Sequence, residues 1–302
     1  MDMHAEYGGV VPELASRDHC LKIVDVLEDA LGNLSLDSID QIAYTSGPGL
    51  LGALLIGESF AQGLSTALNI PLIPINHLEG HLMSPMMEFP EIKMPFICLL
   101  VSGGHSMIIK VKNLGDYELL GDTRDDAVGE AFDKVARMLD LGYPGGPAVD
   151  RLARTGDPHA VQLPRPQPMM RPPKTPSGHQ GTRALDMSFS GLKTAVRAQL
   201  GQASSADLCA SFQQAVVDVL TNRVRRAAAE TGVHSVTMAG GVAANSQLRE
   251  AMMAMELDVS LPPKNRCTDN AAMIAHAGRL RLVAGERHGL DRVARAQWTP
   301  GA

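Results

Sequence analysis

The sequence predicts a two-lobed α/β protein. Three observations carry this: a strand–helix–strand unit near the start, a three-strand meander in the middle, and two glycine turns that each follow an apolar strand. The strand–helix–strand unit runs from Ile42–Thr45 through the turn Gly47-Pro48-Gly49 and a helix from Leu50 to Leu68. It ends in a strand, Leu72–Ile75, that stops at Asn76. A helical crossover between two short apolar runs marks parallel strands. A further helix precedes the unit, from Pro12 to Leu31, with Leu14, Leu21, Ile23, Val24, Val26 and Leu27 as its apolar positions.

The meander starts with the apolar run Phe96–Val101, which is broken by Ser102-Gly103-Gly104. It continues through Ser106–Val111 and Tyr117–Leu120 and is closed by a helix from Asp125 to Leu141. Much later, Val236-Thr237-Met238 leads into Ala239-Gly240-Gly241 and then a helix containing Asn245 and Leu248. A meander followed by alternating helices and strands is the repeat unit of the actin-like ATPase fold (ASKHA, RNase H-like), which pairs two such lobes around a nucleotide. On this reading residues 1–95 form a first lobe that lacks its N-terminal strands. Residues 96–302 form a complete second lobe, with a C-terminal helix that could return to the first. A Pro-rich, basic loop at about 162–186 (Arg165, Arg171, Lys174, Arg183) is read with even weight as a solvated linker or an RNA-contacting arm.

Composition sets the class. The chain is 45% hydrophobic but only 4% aromatic, so its core must rely on Leu, Val, Ile, Ala and Met. A net charge of −6 argues against a surface evenly coated for nucleic acid, though not against a local basic patch or a partner that supplies one. Cys20, Cys98, Cys209 and Cys267 show no C-x-x-C spacing, which reads as reduced, cytosol-like usage. No apolar run reaches membrane-spanning length, and Met1–Val10 has no signal-peptide pattern. A cytoplasmic protein without a membrane partner is expected.

The chemistry starts with His77-Leu78-Glu79-Gly80-His81, which places two imidazoles at i and i+4, one face of a helix. Alone the spacing is weak, because about 0.3 such pairs arise by chance at this histidine content. It is not the zincin H-E-x-x-H: Glu79 stands two residues after the first histidine, so a zincin-type base would face elsewhere. The glycine turns at Ser102–Gly104 and Ala239–Gly241 let backbone amides approach a phosphate or ribose. Asp125 and Asp126 read as favouring a helix N-terminus, while Asp133, further in, could reach a sugar hydroxyl. Tyr143–Pro147 and Asp150 could wall the same cleft. Cys267-Thr268-Asp269-Asn270-Ala271 starts a helix, with Thr268 or Asp269 read first as its N-cap.

These segments coincide in one family. Met3–His19, Gly47–Gly57, His77–His81, Leu99–His105, Asp125–Asp150, Ser188–Thr194 (SFSGLKT), Ala239–Asn245 and Cys267–Ala275 closely resemble, in collinear order, the TsaD/OSGEP family. These are the tRNA N6-adenosine threonylcarbamoyltransferases, formerly described as O-sialoglycoprotein endopeptidases (Gcp). The resemblance implies transfer of a threonylcarbamoyl group from threonylcarbamoyl-AMP to N6 of the adenosine beside the anticodon in ANN-decoding tRNAs. It implies that His77, His81 and Asp269 hold one divalent metal ion, iron or zinc. It further implies that Leu100, Val101, Ser102, Gly103, Gly104, Asp133, Gly146, Asp150 and Asn245 line the substrate pocket. Lys193 becomes a candidate for tRNA or phosphate contact, with a plain surface lysine equally weighted. The implied partners are tRNA, a TsaB-like paralogue, a TsaE-like ATPase and an enzyme making threonylcarbamoyl-AMP, or their eukaryotic or mitochondrial counterparts. A mitochondrial location would follow if a presequence lay upstream.

The family's opening hairpin, with its G-x-E-T-S-C-D-[DE]-T segment and acidic residues, has no counterpart in the chain, so the catalytic residues are left unassigned. The expectation is that Met1 is an internal methionine of a longer protein. If it is the true start, weak or absent transferase activity is expected. Two other functions compete: a non-catalytic subunit that scaffolds the same complex, and a metalloprotease as the older family name implies.

Overall fold

Residues 11–166, 184–288 and 293–298 are described by a computed structural model. The chain divides into two compact units: the described residues up to Met83 together with those from Asn270 onward, and Ser84–Asp269. The sequence reading divides the chain at 95/96 and lets a C-terminal helix return to the first lobe; the residues from Asn270 onward group with the first unit.

In the first unit, α1 (Pro12–Leu31) starts on a proline and stops at Gly32, whose φ of +54° suits glycine. It packs on α2 (Leu51–Leu68), which crosses between β1 (Ile42–Gly47) and β2 (Leu72–Asn76). The two strands are parallel, with Ile42 opposite Leu72 and Thr45 opposite Ile75, as the crossover length requires. Both strands run slightly further than expected, and β2 passes directly into α3 (His77–Met83). The unit's last helix, α11 (Ala271–Val283), packs on α3, β1 and β2. Leu21, Val24 and Val26 of α1 stay exposed, so the predicted apolar face of this helix is not consumed within its unit.

The cap of α11 corrects a sequence expectation. Neither Thr268 nor Asp269 caps it: Asn270 does, accepting from Met273 N at 3.0 Å. Cys267 closes a separate short helix, α10 (Lys264–Cys267). Asn270→Ala should lower stability by about 1 kcal/mol in urea unfolding, the usual cost of losing a side-chain cap.

The second unit is built on a five-stranded sheet of order β5-β4-β3-β6-β7. The expected meander is present as β3 (Phe96–Val101), β4 (Ser106–Asn113) and β5 (Asp116–Asp122), all antiparallel. β6 (Ser235–Ala239) lies parallel to β3, with Leu100 opposite Ala239. β7 (Asp258–Ser260), which the sequence reading missed, extends the sheet beside β6. A short helix, α4 (Pro85–Glu88), also packs on β6.

The helix expected from Asp125 begins later, as α5 (Val128–Met138). Its start is fixed by Val128 N donating to the buried Ser106 Oγ, at 2.8 Å. Asp125 is drawn away, accepting from Ser188 Oγ, Phe189 N and Ser190 N and Oγ. Burial pushes the Asp125 carboxyl up, but these donors outweigh it and hold it below the ordinary range.

The long helix α8 (Ser205–Thr231) packs on β3, β4 and α6 (Gly145–Ala153). Its Phe212 meets Phe132 of α5 edge to face at 5.1 Å, both rings fully buried. Remaining helices are α7 (Ser190–Ala198) and α9 (Ser246–Met253). Burial pushes the Cys98 and Cys209 thiols up to about 12 and about 11. Residues 167–183, which include Arg171, Lys174 and Arg183 of the expected basic loop, lie outside the described residues. Within the described part of that loop, Arg165 pairs with Asp218 at 2.7 Å. No described helix is long and apolar enough to cross a membrane.

Candidate metal centre and nucleotide cleft

The histidine pair sits on α3, immediately after β2. Asn76 Oδ1 accepts from Leu78 N and Glu79 N, so the last strand residue starts the helix. Asn76 Nδ2 also donates to Trp298 O. The rings of His77 and His81 stand edge-on with centroids 4.9 Å apart, as i and i+4 positions on one face should. His81 is buried and His77 half-buried. Gly80 lets α3 press on α11: a Cβ there would lie 2.7 Å from Ile274 Cδ1.

Asp269 lies one residue before the Asn270 cap of α11. One ligand atom from each of His77, His81 and Asp269 lies within 4.8 Å of the others. Two imidazoles and a carboxylate are a donor set taken by zinc and by iron(II), so these residues fit the ion that the family resemblance implies. Glu79, between the histidines, is only 1% exposed. Both its carboxylate oxygens accept from Arg281 of α11.

In the second unit the two glycine turns fall side by side, because they follow the C-terminal ends of the neighbouring parallel strands β3 and β6. Ligands of α/β sheets bind in the crevice beyond such strand ends. Ser102 shapes the first turn: its Oγ accepts from Gly104 N and His105 N, while its own N–H donates to His105 O at 2.8 Å. Gly103 and Gly104 are exposed; Leu100 and Val101 are buried in β3. Two further glycines hold the turn. Gly129, in the first turn of α5, donates to Ser102 O at 3.2 Å, and a Cβ on it would meet Gly103 Cα at 2.8 Å. Gly240 would place a Cβ 2.3 Å from Val101 O. The second glycine turn leads not into an α-helix but into a 3-10 turn, Gly241–Ala244, before α9.

The other expected pocket residues form two pairs. Asp133 Oδ1 accepts from Gly145 N at 2.8 Å, joining α5 to the start of α6, where Gly146 follows partly exposed. Asp150, on α6, accepts from Ser246 Oγ at 2.7 Å and pairs with Arg154. Asn245 caps α9 through Leu248 N, and its amide donates to the buried Gln213 at 2.7 Å. A cleft of about 550 Å³ borders this second pair, lined by Arg154, Gln213, Ser246, Gln247 and Lys264 among others. The Ser102–Gly104 turn and Asp133 do not line it. Lys193 is half-buried, 3.4 Å from Asp126, which also holds Lys134.

Sequence reasoning missed Gly129, Gln213, Ser246 and Arg281. A glycine in the first turn of an amphipathic helix could have flagged Gly129. Nothing local marks the other three.

A family described as TsaD, tRNA N6-adenosine threonylcarbamoyltransferase, matches residues 1–276. A protein of that name from Chromobacterium violaceum is 50% identical over 305 residues, covering 96% of this chain and 86% of its own length. Another from Ralstonia pickettii is 50% identical over 298 residues, covering 93% and 82%. Among solved structures, full-length HypF in its phosphate- and nucleotide-bound form gives a TM-score of 0.62 at 13% identity, over 87% of this chain and 50% of that one. HypF from T. kodakarensis gives 0.66 at 14%, over 87% and 44%. The chain thus spans about half the length of these HypF chains, and the likeness shows the fold alone: α/β, of the actin-like class the sequence predicted.

Proposed function

From the premise that the chain belongs to the tRNA N6-adenosine threonylcarbamoyltransferase family, an enzyme family of transferases, we propose that it forms N6-threonylcarbamoyladenosine beside the anticodon of ANN-decoding tRNAs, using threonylcarbamoyl-AMP and one divalent metal ion. The observation that carries the reading is the convergence of His77, His81 and Asp269 within 4.8 Å, a site that transferase chemistry can use and a scaffold does not need.

The reaction joins the adenosine N6 to the carbamoyl carbon, breaks the bond from that carbon to the phosphate oxygen, and releases AMP and one N6 proton. His77, His81 and Asp269 would hold an iron or zinc ion, which would supply Lewis acidity at this site. The exposed Gly103 and Gly104 amides, at the end of β3, would receive the departing phosphate. Asp133 and Asp150 would take ribose hydroxyls. Each carboxylate is already anchored, by Gly145 N and by Ser246, so its position is set before substrate arrives. Asn245, clamped between Leu248 N and Gln213, would fix one wall of the base pocket.

A TsaB-like paralogue and a TsaE-like ATPase are the proposed partners. The exposed Leu21, Val24 and Val26 of α1 offer an apolar surface to such a paralogue. Against a metalloprotease stands Glu79: it is buried and bound by Arg281, where it cannot activate a water.

The test is a reconstituted assay with metal-loaded protein, partners, threonylcarbamoyl-AMP and an unmodified ANN-decoding tRNA, read by mass spectrometry of the digested nucleosides. One modified adenosine per tRNA is expected, and none when that adenosine is replaced by guanosine. Absence of product with metal-loaded protein would favour the non-catalytic subunit instead.

A further inference from the structure

The sequence between the two histidines holds a charge that the transferase chemistry does not use. Glu79 is 1% exposed, and Arg281 donates to both of its oxygens through Nε and Nη2. The same guanidinium turns its Nη1 to Glu286, at 2.7 Å from each carboxylate oxygen. Glu286 in turn lies 3.4 Å from His288 Nε2, and His288 is bridged to Leu72, the first residue of β2. The relay therefore leaves α3, runs through the last turn of α11 and returns to the strand that delivers α3.

Stability does not account for the arrangement. Desolvating two charges offsets most of their attraction, so a buried ion pair is weak evidence of net stabilisation and is best attested as a device that fixes register. Geometry does account for it. At about 100° per residue, Glu79 projects roughly opposite the face shared by His77 and His81. Six of the seven residues of α3 are buried and Gly80 sits at its contact with α11, so packing holds the helix broadly. The Arg281–Glu79 contact adds a directed polar tether against residual roll about its axis. An imidazole nitrogen some 6 Å from the axis moves by roughly 1 Å for a roll of about 10°, beyond the tolerance of a preorganised ligand set. The two-toothed Arg281–Glu79 contact sits on the far side of the helix, where it resists such a roll.

We infer that Glu79 and Arg281 are positioning residues for the metal centre, a strut that fixes the rotation of α3 and so aims His77 and His81. The inference rests on the proposal that these histidines bind a divalent ion, and it assigns to the H-x-E-x-H segment a role for its middle residue that is neither ligand nor base.

The test titrates cobalt(II), which reports its own coordination by its visible d–d spectrum, into the whole chain and its Glu79→Gln and Arg281→Lys variants at a temperature well below their unfolding. Glu79→Gln keeps the shape and one acceptor; Arg281→Lys keeps the charge but loses the two-toothed grip, so at least one is expected to stay folded. Wild type should take up one equivalent. Both variants should bind at least about 10-fold more weakly, with shifted d–d bands, in the range seen when an outer partner of a metal ligand is lost. A merely structural pair would lower the unfolding temperature of the metal-free protein and leave affinity and spectrum unchanged, and that result overturns the strut. If wild type takes up no cobalt, or His81→Ala takes up as much, the metal centre itself is refuted and the strut falls with it.

Discussion

His81→Ala is expected to lower iron(II) or zinc affinity by about 100-fold or more, because losing a ligand outright should exceed the 10–100-fold cost of losing an outer partner. Transferase activity should fall with it, to roughly 1% or less in the reconstituted assay. Affinity is measured by competition with a coloured chelator, and content by elemental analysis of the dialysed protein. A second readout needs no substrate. Metal at about 100 times its dissociation constant should stabilise the wild type by about 2.7 kcal/mol and the variant by almost nothing. His81 is 2% exposed, so its loss also leaves a packing defect. His77→Ala separates the two effects: half-buried, it should lose metal equally with a smaller loss of metal-free stability. Equal metal content in wild type and both variants would sink the proposed centre.

That centre was legible as residues but not as a geometry. The i, i+4 spacing of His77 and His81 is written in the chain, because a helix repeats every 3.6 residues. Asp269 is 188 positions away, and only its family resemblance lifted it above a helix cap. Here the local signal misled by one residue: three polar residues in a row precede α11, and any of them satisfies the cap preference, yet Asn270 takes the role. The start of α5 failed for a related reason. Two aspartates look like helix-start residues, but Asp125 is bound by Ser188–Ser190, more than 60 positions on, which no window could contain. The meander and the βαβ unit were readable because their strands are apolar, short and punctuated by glycine. β7 is three residues long, Asp258–Ser260, too short to show any period. Arg281 carries no mark at all. Its partner is defined only once α3 and α11 lie together.

Gly240→Ala is expected to cost about 3 kcal/mol or more in urea unfolding, a large effect for one methyl group, and two independent causes add to it. Gly240 holds φ +90° and ψ 162°, a region open essentially to glycine alone, where another residue stores roughly 1–3 kcal/mol of strain. The new Cβ would also lie 2.3 Å from Val101 O and 2.8 Å from Val101 C, so backbone must move rather than a side chain. The carbonyl it strikes belongs to the last residue of β3, directly before the Ser102–Gly104 turn. The displacement therefore passes into the amides proposed to receive phosphate, and AMP affinity should fall by about 10-fold or more, as loss of one charge-directed hydrogen bond would give. Gly103→Ala is the control. Nothing lies within 4 Å of a Cβ there and its φ is not positive, so stability should stay within about 0.5 kcal/mol of wild type. Calorimetric titration with AMP and urea unfolding of both variants decide the matter. If Gly240→Ala keeps wild-type stability and AMP affinity, the close fit of β6 against the β3 turn is not what shapes this cleft.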